Sequence, residues 1–335
     1  MTNVLLVCPM DDGQTGVYVH DALIKLGHKV AFFDHQHVAT DEGFEKMNTM
    51  LVSAVEQLKP DITIILKGLG IVRPTIDAIR KVHDHKIVGW IFDVTLGGTY
   101  VKDGPEAYID FIKSLDAFYT VDRDALPELK KLGITAKWLQ EACALTQHTA
   151  PVFNSVQKRK YGGEVVFLGS VGTIHPNRAK ILKRVYDEGI PLHIYGRVHY
   201  NKDEEPDWVK DSHTGFEAIN DYHSLVCNAS KVVLGIDGWD HRDQAYSARL
   251  FRVLCAGGFY LTTHTKNMEE FFTPGKHLDT YKDEDELVEK LYKYLQDDDL
   301  RATIAEEGRK EVVEKHQFIH RMKELLENEG FNEED

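Results

Sequence analysis

Ser247-Ala248-Arg249-Leu250-Phe251-Arg252-Val253-Leu254-Cys255-Ala256-Gly257-Gly258-Phe259-Tyr260-Leu261-Thr262-Thr263, running on to Glu270-Phe271-Phe272-Thr273-Pro274-Gly275, is the stretch from which the rest of the chain is read. It reads as a helix that opens beside Ser247 and stops at Gly257-Gly258, then a short apolar strand, Phe259 to Thr262. A second helix, Met268 to Phe272, ends at Pro274-Gly275. A helix N-terminus presents unbonded N–H groups and a partial positive charge, so it suits phosphate. Ser247 and Arg249 place a hydroxyl and a guanidinium there, and Arg252 follows one turn later on the same face. In an α/β sheet this is how a nucleotide diphosphate is held.

Working outward, apolar runs alternate with helical periodicity along the chain. Asn3–Cys8 reads as a buried strand, Val17–Leu26 as a helix stopped by Gly27, and Lys29–Asp34 as the next strand. The alternation continues through helix Glu42–Gln57, strand Asp61–Leu66, helix Pro74–His83, strand Lys86–Phe92, helix Glu106–Ser114 and strand Ala117–Val121. Gln147–Gly163 interrupts it with Pro151, the basic run Lys158-Arg159-Lys160 and Gly162-Gly163, and reads as a solvated linker. Alternation then restarts with strand Glu164–Gly169, helix Asn177–Glu188 and strand Leu192–Gly196, and ends in one long helix, Leu300–Asn328. Such alternation predicts parallel sheets covered on both faces. Two doubly wound units in tandem would each offer ligand positions outside the carboxyl ends of their strands, facing a cleft.

The ordered series S-x-R-x-F (Ser247, Arg249, Phe251), Ala256-Gly257-Gly258, the apolar strand and E-x-F-x-x-G (Glu270, Phe272, Gly275) resembles the donor-binding half of CgeB-like, spore-maturation-type glycosyltransferases. The resemblance continues through Asp283-Glu284-Asp285-Glu286-Leu287 and His316 to Arg321, and covers residues 160–325 well and the first half more loosely. It implies the GT-B fold, with residues 1–157 as an acceptor-side Rossmann-like domain, 163–310 as the nucleotide-sugar donor domain, and 311–328 as a helix crossing back to the first domain. It implies a hexosyl- or pentosyltransferase that moves a sugar to an acceptor hydroxyl, with the nucleotide sugar as co-substrate and no metal or other cofactor. The acceptor would be a glycan, a small molecule or, as for phage relatives, a modified DNA base. Members usually carry a ribose-gripping Glu where this chain has Arg252.

Several loops supply candidate residues. Gly169 and Ser170 follow a strand, and Arg178 opens the next helix; small residues there allow a phosphate to approach backbone N–H groups, though turns use glycine anyway. Tyr195 and Gly196 close a strand that the resemblance makes the edge holding the donor base. For a general base the first half offers Asp12, after the first strand, and Asp93, which follows Trp90-Ile91-Phe92 like the family's W-x-x-D segment. Each aspartate could equally cap the following helix. His241 and Asp243, after the strand ending at Ile236, have the look of metal ligands but lack the three or four partners that a metal centre needs.

The 335 residues fit two domains of ordinary size, and a net charge of −14 disfavours a general nucleic-acid binder, leaving a DNA acceptor dependent on a local basic stripe. The four cysteines, Cys8, Cys143, Cys227 and Cys255, form no C-x-x-C pair and read as buried thiols of a cytoplasmic protein. The first strand begins within three residues of Met1, which leaves no room for a signal peptide, and no apolar run reaches membrane-spanning length. A monomer or homodimer is expected. No G-x-G-x-x-G follows the first strand, so a dehydrogenase is excluded. A nucleotide-sugar epimerase or a non-catalytic sugar-binding module of the same fold remain the competing readings.

Overall fold

The computed structural model describes residues 1–92, 105–146, 148–149, 151–201, 203–236 and 247–331. The chain forms two compact units, Met1–Glu141 with Phe318–Asp335, and Ala142–Gln317.

The first unit is built on six strands: β1 (Asn3–Val7), β2 (Lys29–Phe33), β3 (Ile62–Leu66), β4 (Lys86–Ile91), β5 (Ala117–Thr120) and β6 (Ala136–Trp138). They form one sheet in the order β2-β1-β3-β4-β5-β6, with every pairing parallel. β3 reads Ile-Thr-Ile-Ile-Leu and is buried at every residue, as a strand covered on both faces must be. The covering helices are α1 (Thr15–Lys25), α2 (His35–Glu42), α3 (Phe44–Leu58), α4 (Arg73–Val82), α5 (Pro105–Ser114) and α6 (Leu126–Lys131). Met47, Leu51 and Val55, spaced one turn apart on α3, pack with Leu5, Val7 and Ile65 in the core.

The second unit carries β7 (Val165–Leu168), β8 (Val171–Gly172), β9 (Leu192–Tyr195), β10 (Val198–His199), β11 (Val232–Leu234), β12 (Tyr260–Thr263) and β13 (Asp279–Tyr281). Five of these make a parallel sheet in the order β13-β12-β11-β7-β9, while β8 and β10 pair separately. Around them lie α7 (Ser155–Tyr161), α8 (Pro176–Asp187), α9 (Asp207–Ser212), α10 (Asn220–Ala229), α11 (Ala248–Cys255), α12 (Glu284–Gln296) and α13 (Asp298–Lys315). The chain ends in α14 (Phe318–Asn328), which belongs to the first unit and packs on α1, with the rings of Tyr18 and Phe318 5.7 Å apart.

The structure departs from the sequence reading in four places. The helix expected over 300–328 is two helices, broken at His316. There the His316 carbonyl accepts from Cys143 N–H at 3.0 Å, Gln317 bridges to Cys143, and the His316 ring lies against Phe251, Phe271 and Phe272. A tertiary contact thus interrupts a sequence that is locally helical. The stretch read as a linker contains α7, started by a capping box in which Asn154 accepts from Val156 N–H and Gln157 N–H, while the Gln157 side chain accepts from Asn154 N–H. The described residues of 142–157, placed in the first half by sequence, belong to the second unit. Met268–Glu270 closes as a single 3₁₀ turn instead of the expected helix.

Candidate functional site

The second sheet reverses direction at β7: the chain moves from β7 to β9 on one side, then to β11, β12 and β13 on the other. Ligands of open α/β sheets bind outside the carboxyl strand ends at such a switch point. A cavity of about 430 Å³ lies there, lined by the Leu168-Gly169-Ser170 loop after β7, Tyr195-Gly196-Arg197 after β9, His223 of α10, and Ser247, Arg249 and Arg252 at the start of α11.

Two loops meet tightly at its floor. A Cβ on Gly196 would stand 2.3 Å from the Gly169 carbonyl oxygen, and one on Gly169 would stand 2.7 Å from the Arg249 guanidinium. Any larger side chain would push the two loops apart or displace Arg249. The Arg249 Nε donates to the Leu168 carbonyl at 2.6 Å, and its guanidinium lies 5.1 Å from the Phe167 ring centroid, so its position is fixed by β7 itself. Ser247 occupies the N-cap of α11 in extended geometry, with no side-chain capping bond to the helix. Tyr195 is buried against Tyr222 at a ring distance of 6.0 Å; burial and Tyr222 push its hydroxyl up to about 12, so it is a neutral donor at neutral pH.

His223, not singled out from sequence, lines the cavity. Burial, followed by the charges of Arg252 and Arg249, lowers it to about 3, so the ring is neutral at physiological pH. Its neighbour His148, 6.1 Å away between rings, is held near 2 by burial, Arg252 and His223, and its Nδ1 accepts from Ala144 N–H at 3.0 Å. Two neutral imidazoles beside two guanidiniums keep the local charge positive without adding to it. The only sequence signal for His223 was its place on the apolar face of α10, which a core histidine would also have.

Of the expected donor residues, Gly169, Ser170, Tyr195, Gly196, Ser247, Arg249 and Arg252 line this cavity. Arg178 is not among its lining residues; its guanidinium donates to the Ser170 carbonyl at 2.7 Å and lies 5.4 Å from the Phe167 ring, bracing the loop. In the first unit Asp12 is exposed in the turn after β1, beside that sheet's own switch point between β1 and β3. The N-cap of α1 is Gln14, and no side chain caps the helix, so Asp12 does not serve as its cap. Asp93, His241 and Asp243 lie outside the described residues. Among the described residues no three His, Cys, Asp or Glu side chains converge as a metal centre would require, and no helix is long and apolar enough to cross a membrane.

Two parallel Rossmann-like sheets and a last helix returning to the first define the GT-B fold. Residues 178–327 match a family described as "Glycosyl transferase-like", a span that holds α8 through α14 and most of the cavity wall. Among solved structures, sucrose-phosphate synthase from Thermosynechococcus elongatus is similar at 10% identity and a TM-score of 0.68, over 98% of this chain and 99% of that one. HepE of Anabaena, solved in complex with UDP-glucose, is similar at 8% identity and a TM-score of 0.66, over 98% and 99% of the two chains. A protein from Listeria monocytogenes described as a UDP-N-acetylglucosamine 2-epimerase is similar at 11% identity and a TM-score of 0.58, over 100% and 98%. No curated protein matches the chain.

Proposed function

We propose that the protein is a glycosyltransferase that takes a sugar from a nucleotide-sugar donor held in the cavity after β7. The observation that carries the reading is the convergence, at one switch point, of two arginines, a helix N-terminus and a glycine-floored loop. Each of these is suited to a diphosphate. The matching family over residues 178–327 and the UDP-glucose complex of the similar HepE support it.

Glycosyl transfer requires the departing diphosphate charge to be stabilised as the bond to the sugar breaks. Arg249 and Arg252, with the N–H groups opening α11, oppose that charge without a bound metal. Arg249 is already fixed by Leu168 and Phe167, so little reorganisation accompanies the reaction. Gly169 and Gly196 let the phosphates approach the backbone. Neutral His223 can donate a hydrogen bond to the donor without competing for its charge, while the Tyr195 hydroxyl is engaged with Tyr222 and its ring frames the wall. Asp12 removes the acceptor proton; Asp93 is the alternative base. The proposed domain roles follow: acceptor chemistry on the first unit, donor binding on the second.

Calorimetric titration with UDP and UDP-glucose tests the donor. Micromolar to millimolar binding that Arg249→Ala weakens is expected, and the absence of nucleotide binding would overturn the reading. A nucleotide-sugar epimerase is the second reading, favoured by the Listeria structure. Conversion of UDP-N-acetylglucosamine to its 2-epimer, with no acceptor added, would establish it in place of transfer.

A further inference from the structure

A larger cavity, about 770 Å³, opens at the opposite, amino ends of the same strands. Glu164 precedes β7 and Leu168 ends it, so the two cavities are separated by the length of that strand. Its volume lies within the range of small-molecule sites, and nothing in the proposed transfer reaction uses it.

Five cations line it: Lys158 and Arg159 of α7, Lys231 before β11, and Arg301 and Arg309 of α13. The lining carboxylates, Glu164, Asp298 and Glu306, are each engaged by a cation. Lys231 meets Glu164 at 2.9 Å, Arg301 bonds Asp298, and Lys310 meets Glu306 at 3.1 Å. Lys158, Arg159 and Arg309 are then left, among the described residues, without an ion pair of their own, although the Asp298 carboxylate feels the charges of Lys158 and Lys231 as well as that of Arg301. Arg309 is the most telling of the three, because its Nε is buried and has no hydrogen-bond partner. A buried guanidinium nitrogen without an acceptor is costly, and acids outnumber bases 54 to 40 in this chain, so a protein carboxylate could readily have filled the place. The exposed Lys158 and Arg159 alone would be ordinary surface charges; with Arg309 at the wall they make a pocket.

We propose that this cavity binds a small phosphorylated metabolite, its phosphate held by Arg309 together with Lys158 and Arg159. A phosphomonoester carries about −1.5 to −2 charge near neutral pH and several strong acceptors, so it matches two guanidiniums and an ammonium better than a monocarboxylate does. The remaining volume accommodates the organic portion. The site is separate from the donor pocket and does not rest on the reading of that pocket.

Calorimetry with ribose 5-phosphate on the full chain tests it, using Arg309→Ala, the double variant Lys158→Ala/Arg159→Ala, and Arg249→Ala in the donor cavity. Binding to the wild type is expected, weakened roughly tenfold or more by Arg309→Ala and by the double variant, the loss of a charge-assisted contact, and unchanged by Arg249→Ala. The double variant alters only exposed side chains, so it decides the matter even if Arg309→Ala folds poorly. No binding to the wild type at about 10 mM, binding that survives the double variant, or binding lost in Arg249→Ala would each overturn the proposal.

Discussion

The two sheets solve the same topological problem and arm it with opposite charge. In the first unit the chain reverses beside β1, and the loops there carry Asp11, Asp12 and, after β2, Asp34. Asp34 is occupied, accepting from Met10 N–H at 2.8 Å and His37 N–H at 2.9 Å; burial, with the Asp34 charge as a lesser cause, keeps the Cys8 thiol protonated. In the second unit the chain reverses beside β7, and the corresponding wall carries Arg249 and Arg252. Parallel topology supplies a ligand position at each reversal; the side chains just past the strand ends decide which ligand suits it. An acidic position suits proton abstraction and a basic one suits phosphate.

The largest effect should come from breaking the acidic side. Asp12→Asn is expected to lower turnover roughly 10²- to 10⁴-fold with donor affinity unchanged, measured as kcat against calorimetric Kd. Wild-type turnover in that variant would pass the role to Asp93 and remove the functional meaning of the contrast. On the basic side, Arg249→Ala should weaken nucleotide binding by about 1.5–3 kcal/mol, the range for charge-assisted hydrogen bonds, and lower the thermal midpoint modestly because the bond to the Leu168 carbonyl and the stacking on Phe167 are lost with it.

Gly196→Ala sharpens the comparison by testing whether the second reversal depends on a close backbone approach. Its Cβ would stand 2.3 Å from the Gly169 oxygen, so a stability loss of about 1–3 kcal/mol is expected by thermal denaturation, together with weaker nucleotide binding. An alanine variant that is as stable as wild type would show that the loops separate freely.

The most general effect concerns pH. His148 and His223 are held near 2 and 3 in the folded second unit, whereas an unfolded histidine titrates near 6.5. Below about 6.5 the unfolded chain therefore binds protons that the folded unit refuses. Stability fully present above that pH should fall progressively toward pH 3. Thermal midpoints at pH 7.5 and 5 check this, and His223→Asn should flatten the dependence; a pH-independent midpoint would contradict the buried, neutral assignment.

Much of this was legible in the residues. The short apolar runs Val4–Val7, Ile62–Leu66 and Val165–Leu168, alternating with helical periodicity, read as buried parallel strands, and all of them are. The S-x-R spacing placed Arg249 and Arg252 on one face of α11, and both line the same cavity. Other features were hidden because their causes are not local. Arg178 sits in the right loop, yet its guanidinium turns back onto the Ser170 carbonyl. His223 resembled any core histidine until its neighbours proved to be Arg249 and Arg252. The short pair β8 and β10 is held by only two residues on each side, below what a periodic pattern can register.

The sequence by itself determined the alternation of strands and helices, the parallel sheets, and the helix that presents Ser247, Arg249 and Arg252, because periodicity and capping act between residues close in the chain. Tertiary structure alone decided that the helix break falls at His316, that α7 packs with the second unit, and that Arg309 faces a cavity while Arg301 is tied to Asp298. Each of those outcomes turns on which partner a carbonyl, a helix face or a guanidinium meets across many intervening residues, and only the packed chain brings such partners within hydrogen-bond reach.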